Sequence, residues 1–366
     1  MKGKKLKITE KYVQEFNERC SNFRAPEFLR FLTESDGNNV SYLDLIVQLE
    51  NVIKLKPYKQ EKKINFTIEE MTAIIEEFYS KYFPKKAEEV KQILNGTHPY
   101  FMDQNGKSTV HFEKVNLDEN RSSNVGHSGN NPYLNFNVYL KDTIEDLRTT
   151  AHELTHAISA HETKIVDAIK ENTPKKVFDR LTKDKSFESD SICEIESHII
   201  EKLFNKFLLS KGIMNEEDIK VYENSEKISL VSELSLIREE RDVIKCLSFP
   251  VTQEDLTALV EKLYKDKNFR LIDRIKKMHD TSRNSEHMFR YVVGRVVADV
   301  WFKRFEECET NKERREMLKI FQNYLNKTHE LDLESACEEL LGLDFTSIVE
   351  DYCLGKISDI KTQNNI

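Results

Sequence analysis

Glycine and proline are scarce in this chain, at 10 and 7 of 366 residues, and both are scattered. Without clusters of either there is no low-complexity linker, and no segment repeats another. No apolar run is long enough to cross a bilayer. The basic start "MKGKKLKITEKYVQEF" lacks an apolar core and a small-residue cleavage site, so it does not read as a secretory leader. A cytoplasmic location is the expectation. The six cysteines (Cys20, Cys193, Cys246, Cys308, Cys337 and Cys353) lie far apart with no C-x-x-C pair. Isolated reduced thiols are expected, and a cysteine zinc site is not. Excess positive charge is also missing: 56 basic residues face 64 acidic ones, a net charge of −8. Nucleic acid and anionic membranes are bound chiefly through clustered positive charge, so neither is an expected partner. Nothing in the sequence bears on oligomeric state.

What the chain does have is helical spacing of apolar residues almost throughout. "VSYLDLIVQLENVIKL" places Leu43, Ile46, Val47, Val52 and Ile53 along one side. "TIEEMTAIIEEFYSKYF" opens with Thr67 and has Glu70 three residues on, a capping-box pattern. The C-terminal third is helical in period, and Trp301 with its apolar neighbours is expected in the core. The exception lies between about residues 107 and 140. There "KSTVHFEKV" and "YLNFNVYL" flank the turn-rich "NVGHSGNNP". Leu134, Phe136, Val138 and Leu140 alternate with polar or aromatic neighbours, as in a strand buried on one face. The expected fold is mainly α with a small antiparallel β-sheet.

Just after that sheet comes "TTAHELTHAISAHE", beginning at Thr149. Asp142 or Thr143 can cap the helix, and Glu145 and Asp146 suit its positive end. Leu147, Ala151, Leu154 and Ile158 form an apolar stripe. His152 and His156 stand four residues apart, so both imidazoles can reach one ion. Glu153 can stand beside that ion without binding it, placed to take a proton from water. The competing reading is a solvated helix face rich in His and Glu. A catalytic zinc needs a third protein ligand, and "SDSICEIESHIIEKLFNKFLL" can supply it. On a helix Glu194, His198 and Glu201 share one side, whereas Glu196 falls among Ile192, Ile199, Ile200 and Leu203. Glu194 and Glu196 are about 200° apart on a regular helix and cannot both reach one ion. Spacing alone leaves the choice open.

"NPYLNFNVYLKDTIEDLRTTAHELTHAI" resembles the active-site region of the oligoendopeptidase F and thimet oligopeptidase family of zinc metallopeptidases. "EIESHIIE" is similar to that family's second signature, where the first glutamate binds zinc, a serine follows at three and a glutamate at seven. The resemblance thus implies Glu194 as the third ligand beside His152 and His156, with Ser197 and Glu201 completing the pattern. "HMFRYVVGRVVADVWF" is similar to a tyrosine-rich stretch ending in Y-x-x-G, matched by Tyr291 and Gly294. His287 occupies a position where the family commonly has tyrosine. The implied fold is a helical zincin-like metallopeptidase with the sheet beside the active-site helix. The implied chemistry is zinc-dependent hydrolysis of a peptide or protein substrate. Glu153 would be the general base and Tyr291 an oxyanion donor. Glu201 is a candidate to hold a ligand histidine, His198 a candidate to line the cleft, and "YLNFNVYL" a candidate to pair with an extended substrate. From His156 to Glu194 is 38 residues, longer than usual for the family, which implies an insertion around "ENTPKKVFDRLTKDKSFES". The expected organisation is an N-terminal helical region, residues 1–105, and a catalytic region, residues 106–366. Two alternatives carry other expectations. One is a dedicated protease, such as a toxin or delivered effector, that cuts a single protein target. The other is a non-catalytic helical protein that binds a partner and keeps a vestigial metal site.

Overall fold

The computed structural model describes residues 6–22, 55–57, 59, 62–103, 105–119, 121–127, 134–159, 192–247, 250–277, 285–328 and 331–352. The expected helix over residues 43–53 and the expected insertion lie outside the described residues. The chain divides into two compact units, one of residues 1–55, 227–293 and 349–366, the other of residues 56–226 and 294–348. Two long helices, residues 216–245 and 285–307, carry the chain from one unit into the other.

The unit of residues 56–226 and 294–348 holds most of the chemistry-bearing residues. It begins with α2 (Ile68–Tyr82), preceded in the chain by α1 (Glu10–Asn22) of the other unit. Thr67 caps α2 as expected: its hydroxyl accepts the Glu70 N–H at 3.1 Å and the Glu70 carboxylate accepts the Thr67 N–H at 2.9 Å. Next come α3 (Ala87–Leu94) and three strands, β1 (Val110–Lys114), β2 (Asn124–His127) and β3 (Leu134–Leu140). The alternation along β3 is real: Leu134, Phe136, Val138 and Leu140 are buried, and the residues between them are half-buried. The strand order is β1-β3-β2, with β1 parallel and β2 antiparallel to β3. The sheet is therefore mixed, a correction to the expected antiparallel arrangement. Alternation fixes which face is buried, and says nothing of the neighbour's direction.

Helix α4 (Ile144–Ile158) follows β3 after a tight connection. Asp142 adopts φ 54° there, and the Asp146 carboxylate accepts the N–H groups of Lys141 and Thr143 at 3.0 and 3.1 Å. Leu147, Ala151, Leu154 and Ile158 are fully buried, so the stripe read from spacing is the face that packs. Two buried threonines of α4 satisfy their hydroxyls locally. Thr150 donates to the Asp146 carbonyl at 2.6 Å, and Thr155 to that of Ala151 at 2.7 Å. α5 (Ile195–Ser210) packs most extensively against α4. Phe204 and Phe207 of α5 join Phe78 and Phe83 in an aromatic cluster with ring centroids 5.0–5.9 Å apart. The first part of α6 (Glu216–Lys245) and the last part of α9 (Ser285–Glu307) belong to this unit. So do α10 (Asn311–Leu325) and α11 (Leu333–Leu341). Trp301 is fully buried, stacked on Phe305 and tilted against Phe321.

The other unit contains α1, the remainder of α6, α7 (Gln253–Lys265), α8 (Phe269–Lys277) and the start of α9. Asn17 of α1 closes a reciprocal pair with Val251, each bond 2.8 Å, which ties α1 to the start of α7. Arg274 and Glu240 form an ion pair that is almost wholly buried. No described helix is long and apolar enough to cross a membrane.

Candidate metal centre

His152 and His156 lie one turn apart on α4, with their Nε2 atoms 3.2 Å from each other. Glu194 brings its Oε2 to 3.3 Å from the first and 3.4 Å from the second. The three donors thus form a nearly equilateral triangle. A tetrahedral zinc with ligands at about 2.0–2.1 Å sets its donor atoms about 3.3 Å apart. Two imidazoles and a carboxylate of this spacing fit such an ion.

Glu194 reaches the histidines from the start of α5. It occupies the N-cap of α5, immediately before Ile195. Ser197 closes the turn by donating to the Glu194 carbonyl at 3.0 Å. The Glu194 backbone is in the right-handed helical region and its carbonyl accepts the His198 N–H at 3.2 Å, so Glu194 and Glu196 diverge as on a regular helix. Glu196 meets the pair from the other side, its Oε1 4.0 Å from His156 Nδ1, and it takes no part in the triangle. Burial pushes its carboxyl up to about 8. For Glu194 burial acts in the same direction, but His156 and His152 outweigh it and hold its carboxyl well below the usual range. Burial disfavours protonated His152, yet carboxylates at both its nitrogens raise it well above an ordinary imidazole.

Glu153 follows His152 without joining the donors. Burial raises its pKa, while His152, His156 and a hydrogen bond from the Val125 N–H lower it. That bond tells which way β2 faces. The Phe136 N–H goes to Thr109 at 3.1 Å, on the β1 side. Val125, opposite Phe136, is thus in a non-hydrogen-bonded pair, and its N–H and C=O point away from β3. β3 has a strand on each side, so it cannot pair with a substrate as the sequence suggested. The outer edge of β2 is what lies against Glu153.

Glu201 and His198 are also brought to this cluster. Glu201 Oε1 lies 2.5 Å from His152 Nδ1, the contact expected of a carboxylate that orients a metal-binding histidine. His198 is buried, its Nδ1 3.8 Å from both Glu201 and Glu226. Burial, reinforced by Arg295, lowers it to about 4, so it is neutral. Its ring centroid lies 5.6 Å from that of His152. Sequence reasoning missed Tyr222, which donates to Glu201 Oε2 at 2.8 Å, and Arg295, which donates to Glu226 at 3.0 Å. Tyr222 sits in no motif, and Arg295, although it follows Gly294 in the tyrosine-rich stretch, carries no role in that pattern.

Tyr291 belongs to the other compact unit, where the Arg290 guanidinium lies 5.1 Å from its ring centroid. Its oxyanion role remains an expectation from the resemblance. The side chain of His287 lies outside the described residues. Gly294, three residues after Tyr291, has a definite structural task. A Cβ placed there would lie 2.7 Å from His198 Cδ2 and 2.8 Å from both the Cβ and the carbonyl oxygen of Glu194. Alanine in mid-helix gains about 1 kcal/mol of propensity over glycine, whereas overpacking costs about 1–3 kcal/mol. Backbone cannot swing aside, so Gly294→Ala is expected to be a net loss of up to about 2 kcal/mol in chemical denaturation. A gain in stability would show that α9 does not press on Glu194.

No protein-family model matches the chain, and no curated protein matches it. Two solved structures do. One is a chain from Chlamydophila abortus provisionally named a peptidase, with 14% identity and a TM-score of 0.46 over 97% of this chain. The other, from Bacillus anthracis, is provisionally named an oligoendopeptidase F, with 12% identity and a TM-score of 0.48 over 98% of this chain. The present chain spans 56% and 57% of their lengths.

Proposed function

We propose that this chain is a zinc-dependent metalloendopeptidase, with His152, His156 and Glu194 as its metal ligands. The observation that carries the reading is the donor triangle, with edges of 3.2, 3.3 and 3.4 Å, beside a carboxylate that is not one of its corners. Zinc in such a site acidifies water and polarises a carbonyl.

The chain's own residues supply the rest. Glu153 accepts a proton from the attacking water and returns it to the leaving amine. The Val125 N–H holds one edge of that carboxylate in place. Glu201 accepts a hydrogen bond from the His152 Nδ1–H, which would leave Nε2 as the free donor for the ion. An extended peptide adds to the outer edge of β2 through its backbone, next to Glu153.

The test is hydrolysis. Purified chain with zinc is incubated with quenched short peptides and, separately, with intact cell lysate. Cleavage that a chelator abolishes and added zinc restores is the expected result. Turnover of many unrelated peptides marks a general oligopeptidase, and cleavage of one lysate protein alone marks a dedicated protease. Stoichiometric zinc with no cleavage of either would favour the non-catalytic reading.

A further inference from the structure

The support beneath the donor triangle continues past Glu201. Of that carboxylate's two oxygens, one lies on His152 Nδ1 at 2.5 Å and the other accepts the Tyr222 hydroxyl at 2.8 Å. A carboxylate gripped at one oxygen can still swing about its last torsion. One gripped at both, from different helices, is fixed. Tyr222 is itself well held. It is buried, and the Arg148 guanidinium sits 4.6 Å from its ring centroid. Arg148 lies on α4 one turn before His152, so the helix that carries the imidazole also anchors the ring. Burial, with Glu201 and Glu226 adding to it, raises the phenol well above its ordinary value. The group is therefore a hydroxyl donor.

His198 Nδ1 stands 3.8 Å from Glu201 Oε1, beyond hydrogen-bond reach. Tyr222 links the Glu201 carboxylate directly to α6.

We propose that Tyr222 is a positioning residue for the metal centre: its hydroxyl fixes the Glu201 carboxylate, which in turn aims His152 Nε2 into the donor triangle. This rests on the zinc reading above, and the experiment separates the two.

Zinc affinity is measured by chelator competition for the wild-type chain, Tyr222→Phe, Glu201→Gln and the double variant. Phenylalanine keeps the ring and its contact with Arg148 and removes only the hydroxyl. Metal-free melting curves check that each variant folds. Outer partners of metal ligands are worth 10–100-fold in affinity, and Tyr222 acts one bond further out. Tyr222→Phe is therefore expected to weaken zinc binding by roughly tenfold. In the Glu201→Gln background the same change should cost less than about twofold, because the carboxylate it fixes is gone. A merely structural role would lower affinity by the same factor in both backgrounds. That outcome, or unchanged affinity in Tyr222→Phe, overturns the proposal. A wild-type chain that binds no zinc overturns the zinc reading, and the role of Tyr222 with it.

Discussion

Glu153→Gln is expected to reduce kcat/KM for peptide hydrolysis by about 10²–10⁴ while leaving one zinc bound, the range that a positioned general base contributes. The amide has the same shape and can still accept the Val125 N–H, so the β2 contact survives. What it cannot do is take a proton. Because Glu153 is not a corner of the donor triangle, its replacement removes no ligand. Metal content and kinetics measured on one preparation separate these effects. Loss of zinc in Glu153→Gln would mean that Glu153 is itself a ligand. Full activity would assign the proton transfer to another group.

The second large effect concerns the two buried glutamates at the start of α5. Glu194→Ala removes one corner of the triangle and is expected to weaken zinc binding by more than about a hundredfold, beyond the range for an outer partner. Glu196→Ala is expected to cost no more than about tenfold. Its carboxyl faces the far nitrogen of His156 at 4.0 Å, too long for a direct hydrogen bond. Chelator competition on the two variants reads the difference. The reverse order of effects would exchange their roles and displace Glu194 from the centre.

Much of the candidate metal centre is legible in the amino-acid sequence. The stripe Leu147, Ala151, Leu154 and Ile158 is the buried face of α4, and the four-residue spacing of His152 and His156 puts both imidazoles in one place. The Thr67 cap and the alternation of β3 also lie where capping and period-two patterns put them. Three features are not legible, each for a physical reason. The direction of β1 against β3 depends on how the chain returns to the sheet, which alternation cannot encode. The choice between Glu194 and Glu196 turns on which side of α5 faces the imidazoles of α4. Periodicity separates the two carboxylates, as the structure does, but does not say which of them the neighbouring helix meets. Tyr222 meets Glu201 across 21 residues, a separation at which no local pattern survives.

The most direct measurement is X-ray absorption at the zinc edge of the purified wild-type chain. A single shell of nitrogen and oxygen at about 2.0–2.1 Å, with the outer-shell scattering of two imidazoles, is the expected spectrum. A sulfur shell near about 2.3 Å, or the absence of stoichiometric zinc, would contradict a centre built from His152, His156 and Glu194.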